Sequence, residues 1–502
     1  MNRRDPILHA FELLARRDPL APLVVSPERR ATVGDVDALS RAAGALLPTS
    51  PLPPLPPLPP GTLVGLAAAN GPGFLASFLA LRRAGLAVLL LDARTPETEA
   101  SRILSALGAP ALLRCPTGWP QGPEDWSMTM TEITEAQGQG TTAPLSTIFP
   151  SSPDLAAVKL TSGSTGAPRG IATPAEALLA DDAALTATMG LSREDRLLTT
   201  IPLSHSYGLS SLAVPALVRG TVLAIPEETG IYDPFVTAAR TGATFFPTVP
   251  AYLDALVRMS DPPPRPACLR LAITAGAPLS AATSARFRER FGIPVHVFYG
   301  SSECGGICYD REGGAAERGT VGAPVEGVRV TIDEKGVLVE SPAVSAGYFP
   351  DPDERLRDGR FRAGDLAVWK EGELALQGRV DDLVNIKGKK VNPREVESVL
   401  ARLEGVEDVA VLGVPGASGG EMLRAVVACR LGRLTAADVV GWCRAYLSAH
   451  KVPRSVILVE ELPRNARGKL DRAALRSPHL PGPSEQVPLS PKGGGRWERG
   501  QG

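Results

Sequence analysis

Leu160-Thr161-Ser162-Gly163-Ser164-Thr165-Gly166-Ala167-Pro168-Arg169-Gly170 sets three glycines, four hydroxyls, a proline and one guanidinium within residues 161–170. An apolar-leaning run, 155–160, leads directly into it. Glycines let successive backbone N–H groups turn toward one point, and the hydroxyls and the cation add donors there. That is the chemistry of a flexible loop for a polyphosphate. No Gly-Lys-Ser/Thr follows a first glycine at the P-loop spacing, so the segment is not the loop of that NTPase class. Taken alone it also reads as a Ser/Gly-rich surface turn.

The flanks decide between the two readings. Apolar runs at 63–68, 85–91 and 111–113 precede the loop, and 221–225, 244–247, 269–274 and 295–299 follow it, with helical patterns at 251–259 and 281–291. This alternation predicts βαβ units and a largely parallel sheet. Ligands of such sheets gather at the carboxyl ends of strands. Ala275-Gly276-Ala277-Pro278 and Gly300-Ser301-Ser302-Glu303 each follow a predicted strand directly, so both are expected to open onto one cleft. Segments 328–332 and 336–340 predict a hairpin of a small β-structure.

At the N-terminus, 6–16 places Ile7, Phe11 and Leu14 on one helical face, and Thr32 is positioned to cap a helix running to 47. The Pro/Leu stretch 48–60 predicts an extended surface loop, and the polar segment 116–150 a connector with little structure. Near Gly378 the character changes. Asn392-Pro393-Arg394-Glu395 carries a cap residue, a proline at the first helical position and a glutamate at the third, which predicts a helix start. Strand-like 408–414, 424–431 and 455–459 and a helix over 436–449 complete a small α+β domain. The fold class is therefore a large α/β N-terminal domain of parallel-sheet βα subdomains plus a small β-structure, with a smaller, mobile α+β C-terminal domain. The expected division is 1–378, 379–476 and a disordered Pro/Gly/Ser tail, 477–502.

Bulk properties narrow the function. A chain of 502 residues exceeds one ordinary core, and a net charge of −1 offers no basic surplus for nucleic acid. The six scattered cysteines (115, 268, 304, 308, 429 and 443) read as reduced thiols, and the C-x3-C pair at 304 and 308 lacks the further ligands of a zinc site. The first residues form no signal peptide, and the longest apolar stretch is too short to span a bilayer. The expectation is a cytoplasmic enzyme. Only nine of the 53 basic residues are lysines, and none precedes Lys159. Arginine is the default cation here, so each lysine hints that a compact ammonium was wanted.

The loop resembles the signature of the ANL adenylate-forming superfamily of AMP-dependent synthetases and ligases, and further family motifs follow in the family's order. Pro202-Leu203-Ser204-His205-Ser206-Tyr207-Gly208 resembles the acid-binding segment, and Ala275-Gly276-Ala277-Pro278-Leu279 the adenine-pocket turn. Tyr299-Gly300-Ser301-Ser302-Glu303 resembles the aromatic-to-glutamate motif, and Gly364-Asp365 the ribose aspartate. Gly378-Arg379-Val380-Asp381-Asp382 through Pro393-Arg394-Glu395-Val396-Glu397 resembles the hinge segment, and Pro463-Arg464-Asn465-Ala466-Arg467-Gly468-Lys469-Leu470 the terminal lysine motif. The resemblance covers roughly residues 5 to 476.

That resemblance implies an acyl-CoA synthetase-like ligase that forms an acyl-AMP from a carboxylic acid and ATP, releases pyrophosphate, and then makes a thioester with CoA. It implies that Thr161, Ser162, Gly163, Ser164, Thr165, Gly166 and Arg169 hold the β- and γ-phosphates, with Arg169 standing where family members usually carry lysine. Gly276, Ala277, Pro278, Tyr299 and Gly300 would frame the adenine, Ser302 the α-phosphate, and Asp365 with Arg379 the ribose. Glu303 would ligate Mg²⁺, Lys469 would bridge carboxylate and α-phosphate, and His205 would stand at the mouth of the acid pocket. Tyr207, Ser211, Ala275, Gly300 and Ile307 would line that pocket. Asp381 would be the hinge, with Lys390 and the loop around Gly388 serving the thiol acceptor. Amino-acid activators generally place an aspartate near His205 to pair the substrate ammonium, yet no acidic residue occurs from Pro202 to Gly220. An unpaired buried ammonium is too costly, so a fatty or aryl acid is expected. Two alternatives stay open: a stand-alone enzyme loading an acyl or peptidyl carrier protein, and a catalytically degenerate binding homologue, motivated by Arg169 and by Asn385, which is often lysine in the family.

Overall fold

The computed structural model describes residues 5–47, 58–130, 155–162, 168–227, 230–386, 389–416, 421–430, 432–464 and 470–477. Most of the 48–60 stretch, segment 131–150 and the tail after 477 therefore lie outside the described residues. The chain divides into two units, Met1–Asp333 with Val337–Ala363 and Trp369–Ala375, and Glu334–Gly336 with Gly364–Val368 and Leu376–Gly502. The division falls inside the strands Asp365–Lys370 and Glu373–Arg379.

In the first unit, Leu63–Ala68 is buried at every residue, the mark of a strand covered on both faces. It pairs in parallel with Ala87–Leu91 on one side and Ala111–Cys115 on the other. Helices Pro72–Arg83 and Glu97–Ala106 provide the crossovers. Leu155–Ser162 then pairs in parallel with Ala87–Leu91 and returns as Pro168–Pro174, antiparallel, with Thr161 opposite Arg169. Gly347–Phe349 closes this edge of a seven-stranded sheet. The opposite edge departs from the expected connector: Ser127–Met130 is a strand, antiparallel to Ala111–Cys115, and the Trp126 indole donates to Ser77 Oγ at 2.8 Å. The segment's polarity hid it because an edge strand with one solvated face carries little apolar pattern.

A nine-stranded sheet holds the strands predicted between 221 and 299, while the predicted hairpin, Arg329–Asp333 with Gly336–Glu340, belongs to a separate four-stranded sheet. Phe245–Thr248, Leu271–Thr274 and Val295–Ser301 run parallel, and Gly305–Tyr309 folds back against the last of them. One apolar core joins both sheets through Phe74, Phe78, Leu66, Leu197, Ile273 and Phe298. Helix Pro6–Arg17 buries Ile7, Phe11 and Leu14 as the periodicity requires, and Asp5 caps it through the N–H groups of Ile7 and Leu8. Thr32 caps Val33–Gly44 in a reciprocal box with Asp35, although that helix ends before residue 47.

The second unit carries a three-stranded sheet, Asp408–Pro415 antiparallel to Glu421–Ala428, which is parallel to Ser455–Val459. Asn392 caps Pro393–Leu400 through the Arg394 N–H, and Thr435 caps Ala436–Tyr446. Val396, Leu400, Val411, Val427, Val439 and Cys443 form its core.

Candidate active site

The two parallel strands Leu271–Thr274 and Val295–Ser301 are hydrogen-bonded neighbours, so their carboxyl ends emerge side by side. Ala275 is buried at the exit of the first, and Gly276, with φ +85°, then takes the left-handed turn that a side chain would strain. Ala277 and Pro278 follow at the surface. The second strand carries Tyr299, Gly300 and Ser301 within itself, then turns through Ser302 and Glu303 into Gly305–Tyr309. The pairing slips between Tyr299 and Gly300, a bulge of the kind that re-aims side chains beside active sites. At Gly300 a Cβ would stand 2.7 Å from the Gly305 carbonyl oxygen, so glycine is required.

Glu303 is held from several directions. Its backbone carbonyl accepts from the Ser345 N–H at 2.8 Å, and Oε1 accepts from the Tyr348 hydroxyl at 2.8 Å. Burial first, and the Glu303 charge second, push the Tyr348 phenol well above its ordinary range, so it remains a donor. The Arg169 guanidinium lies 3.8 Å over the Tyr348 ring, donates to Asp353 at 3.2 Å and to the Asp351 carbonyl at 2.9 Å. Its partners here are thus an aromatic face, a carboxylate and a carbonyl. Asp353 is held down at about 2, chiefly by Arg355. Tyr348 and Asp353 escaped the sequence reading. Tyr348 lies on Gly347–Phe349, a three-residue strand too short for periodicity to reveal, and Asp353 lies beyond it in no regular element.

The segment Pro202–Gly208 is tied to the same turn. Ser206 Oγ donates to Ser302 Oγ at 2.7 Å. Asn70 fixes the approach of the segment, accepting from the Leu203 N–H at 2.8 Å and donating to the Ile201 carbonyl at 3.2 Å. His205 is exposed and caps the short turn Ser206–Gly208 through Nδ1, which accepts from the Tyr207 N–H at 3.3 Å. A π-turn, Leu209–Ala213, follows and centres on Ser211; such turns recur at functional sites. Ser211, Ala275 and Ile307 are buried, and the Tyr207 ring lies 5.7 Å from Phe298. The Tyr207 hydroxyl and Ser211 Oγ are buried polar atoms with no hydrogen-bond partner among the described residues.

Two acidic residues approach from the helix Ala175–Met189, where the sequence reading did not look. Asp182 is buried and paired with Arg219, and burial lifts its carboxyl to about 6. Asp181 accepts from the Gly306 N–H at 2.9 Å; burial raises its pKa, against the pull of that bond and of Lys159. Arg219 thus pairs with Asp182, while Lys159 supplies opposing charge to Asp181.

In the second unit Arg379 and Asp365 pair at 3.7 Å, and the Val380 N–H donates to the Gly364 carbonyl at 2.8 Å. Asp381 lies in the single turn Val380–Asp382, and Lys390 on the strand Lys389–Val391. Thr161 and Ser162 end the strand before the loop. Gly163, Ser164, Thr165, Gly166, Lys387, Gly388 and Lys469 lie outside the described residues, as do the side chains of Ser162, Asp381 and Lys390. Among the described residues no helix is long and apolar enough to cross a membrane.

Adjacent parallel strands thus deliver Gly276 and Glu303 to neighbouring carboxyl ends, where ligands of such sheets gather, and Ser206 ties the 202–208 segment to the same turn. The AMP-binding enzyme model matches residues 11–349, and the model of that enzyme's C-terminal domain matches 395–469. The chain belongs to this family, the ANL adenylate-forming superfamily, and its enzyme class is the ATP-dependent, AMP-forming acid–thiol ligase of the acyl-CoA synthetase kind. It is 30% identical to the 3-[(3aS,4S,7aS)-7a-methyl-1,5-dioxo-octahydro-1H-inden-4-yl]propanoyl:CoA ligase of Mycobacterium tuberculosis, over 93% of this chain and 97% of that one. A feruloyl-CoA synthase of Amycolatopsis sp. is also 30% identical, over 79% of this chain and 80% of its own. Among solved structures, ATP-bound MatB from Rhodopseudomonas palustris superposes with a TM-score of 0.76 at 25% identity, covering 93% of this chain and 98% of that one.

Proposed function

We propose that this protein joins a fatty or aryl carboxylic acid to the α-phosphate of ATP and passes the acyl group to the thiol of CoA. In the first step a carboxylate oxygen attacks the α-phosphorus, the bond to the β-phosphate oxygen breaks, and pyrophosphate leaves. In the second the thiolate sulfur attacks the acyl carbonyl and AMP leaves. Two anions must meet in the first step, so catalysis is chiefly electrostatic neutralisation and alignment. The 2.7 Å bond between Ser206 and Ser302 carries this reading, because it fastens the acid-binding segment to the turn assigned to the α-phosphate.

Thr161–Gly166 and Arg169 would take the outer phosphates, with Arg169 exchanging its carbonyl and carboxylate partners for phosphate oxygens. Gly276–Pro278 and Tyr299 would frame the adenine, and Asp365 and Arg379 the ribose. Lys469 would meet both the carboxylate and the α-phosphate as a compact charge. Asp381 would be the hinge about which the C-terminal domain presents Lys469 in one step and the Gly388 loop in the other. Tyr207, Ser211, Ala275 and Ile307 would contact the acid, with His205 at the entrance.

Glu303 suits a magnesium ion. It is a single carboxylate, held in place, in a turn beside the assigned phosphate site, and Mg²⁺ binds through one or two carboxylates plus substrate phosphates. When bound, that ion supplies neutralising charge to the phosphates.

The assay is ATP–pyrophosphate exchange across fatty, aryl and amino acids, followed by turnover with CoA and, separately, with hydroxylamine. Exchange with fatty or aryl acids and CoA-dependent turnover are expected. Exchange confined to amino acids would overturn the acid class, and turnover with hydroxylamine but not CoA would overturn the thiol.

A further inference from the structure

Lys159 is the first lysine of an arginine-using chain, and it lies inside the protein with 3% of its surface exposed. It sits on the strand Leu155–Ser162, between Val158 and Leu160, where a leucine or methionine would complete the sheet face at no electrostatic cost. A buried ammonium is costly unless it is paired and hydrogen-bonded. Its Nζ donates to the backbone carbonyl of Ser302 at 3.1 Å, 143 positions along the chain. Asp181, equally buried, supplies opposing charge and accepts from the Gly306 N–H at 2.9 Å.

The two side chains therefore grip the two ends of one turn. The cation holds the carbonyl immediately before Glu303, and the carboxylate holds the amide three residues after it. Gly305 makes room for the second contact. Its φ is +69°, and a Cβ there would stand 2.3 Å from the Asp181 carboxyl. Holding the Ser302 carbonyl fixes the peptide plane from which Glu303 departs, while Ser345 and Tyr348 hold its far side.

The geometry points to Lys159 as a positioning residue that sets the direction in which Glu303 presents its carboxylate to the cation carried by the nucleotide. This rests on the reading of Glu303 as a ligand of that cation.

Binding of ATP alone, without acid, tests it by calorimetry on the full chain, once in excess magnesium chloride and once in EDTA. The ratio of the two dissociation constants measures how much the ion contributes. Lys159→Met by itself strands the Asp181 charge and compromises folding, so the informative protein is Lys159→Met/Asp181→Asn, which removes both charges and keeps an acceptor for Gly306. Glu303→Gln serves as the comparator. The double variant is expected to retain the thermal midpoint and the EDTA affinity while the magnesium ratio falls about ten-fold, as is typical when the support of a metal ligand is lost. Lys159→Met unfolding at lower temperature than the double variant would support the charge pairing. A wild-type ratio in Glu303→Gln would overturn the reading of Glu303 and this inference with it. A ratio lost in Glu303→Gln but intact in the double variant would overturn this inference alone, leaving Lys159 as a charge-balancing residue of the core.

Discussion

Tyr348→Phe isolates one hydrogen bond at the centre of the site. The hydroxyl is 2.8 Å from Glu303 Oε1, and the ring is 5% exposed, so phenylalanine keeps the packing and the face beneath Arg169. A hydrogen bond to a charged group contributes about 1.5–3 kcal/mol net. Glu303 is partly exposed, so water replaces some of the lost donation, and the low end, about 1.5 kcal/mol, applies. If that bond orients the carboxylate for the nucleotide complex, kcat/KM for ATP falls about ten-fold. Tyr348→Leu also removes the aromatic face under Arg169 and should lose roughly a further 0.5–1 kcal/mol, the scale of a cation–π contact at a partly exposed site. Pyrophosphate exchange at varied ATP measures both. Equal activity of Tyr348→Phe and wild type would refute the reasoning, because Glu303 would then hold its orientation without the phenol. Equal losses in the Phe and Leu variants would show that Arg169 gains nothing from the ring.

Three further outcomes follow from the site. Lys469→Ala should slow adenylation by roughly 10²–10³-fold, the cost of one preorganised donor, while thioester formation from preformed acyl-adenylate stays near the wild-type rate; a parallel fall in both half-reactions would make the lysine structural. Asp381→Pro, which fixes φ in the turn Val380–Asp382, should spare adenylation and abolish the thioester step in single-turnover measurements, and equal loss of both would place the hinge elsewhere. Asp182 has its carboxyl raised by burial from 3.8 to about 6, so its favourable contribution is present below the unfolded value and lost as pH rises through the folded one. Wild-type stability should therefore drop on this account by on the order of 2–3 kcal/mol between about pH 4 and 7, and Asp182→Asn should flatten that slope in urea unfolding.

The local vocabulary of this fold is legible in the chain. A strand buried on both faces must be continuously apolar, which is why Leu63–Ala68 stands out. Caps and prolines announce helix starts, as at Thr32 and Asn392, because orphan N–H groups need an acceptor or must be absent. Glycines at 276 and 300 mark positions where a turn or a close backbone approach excludes a Cβ. The order of the motifs pointed to the family that the matches over 11–349 and 395–469 show.

Other features are properties of pairing between distant segments. Nothing near Arg169 in sequence shows that it stacks on Tyr348 and meets Asp353, 184 positions away. The absence of an acidic residue between Pro202 and Gly220 is visible in the chain, but that Asp182 on another helix is buried against Arg219, and Asp181 beside it against the Gly306 N–H, is not. Lys159 announced itself only as an unusual choice of cation; its partner is a backbone carbonyl brought near when the two large sheets share one core. Side-chain periodicity reports which face of an element is buried. It carries no information about which element lies opposite, and for a buried charge that neighbour decides whether burial costs or stabilises.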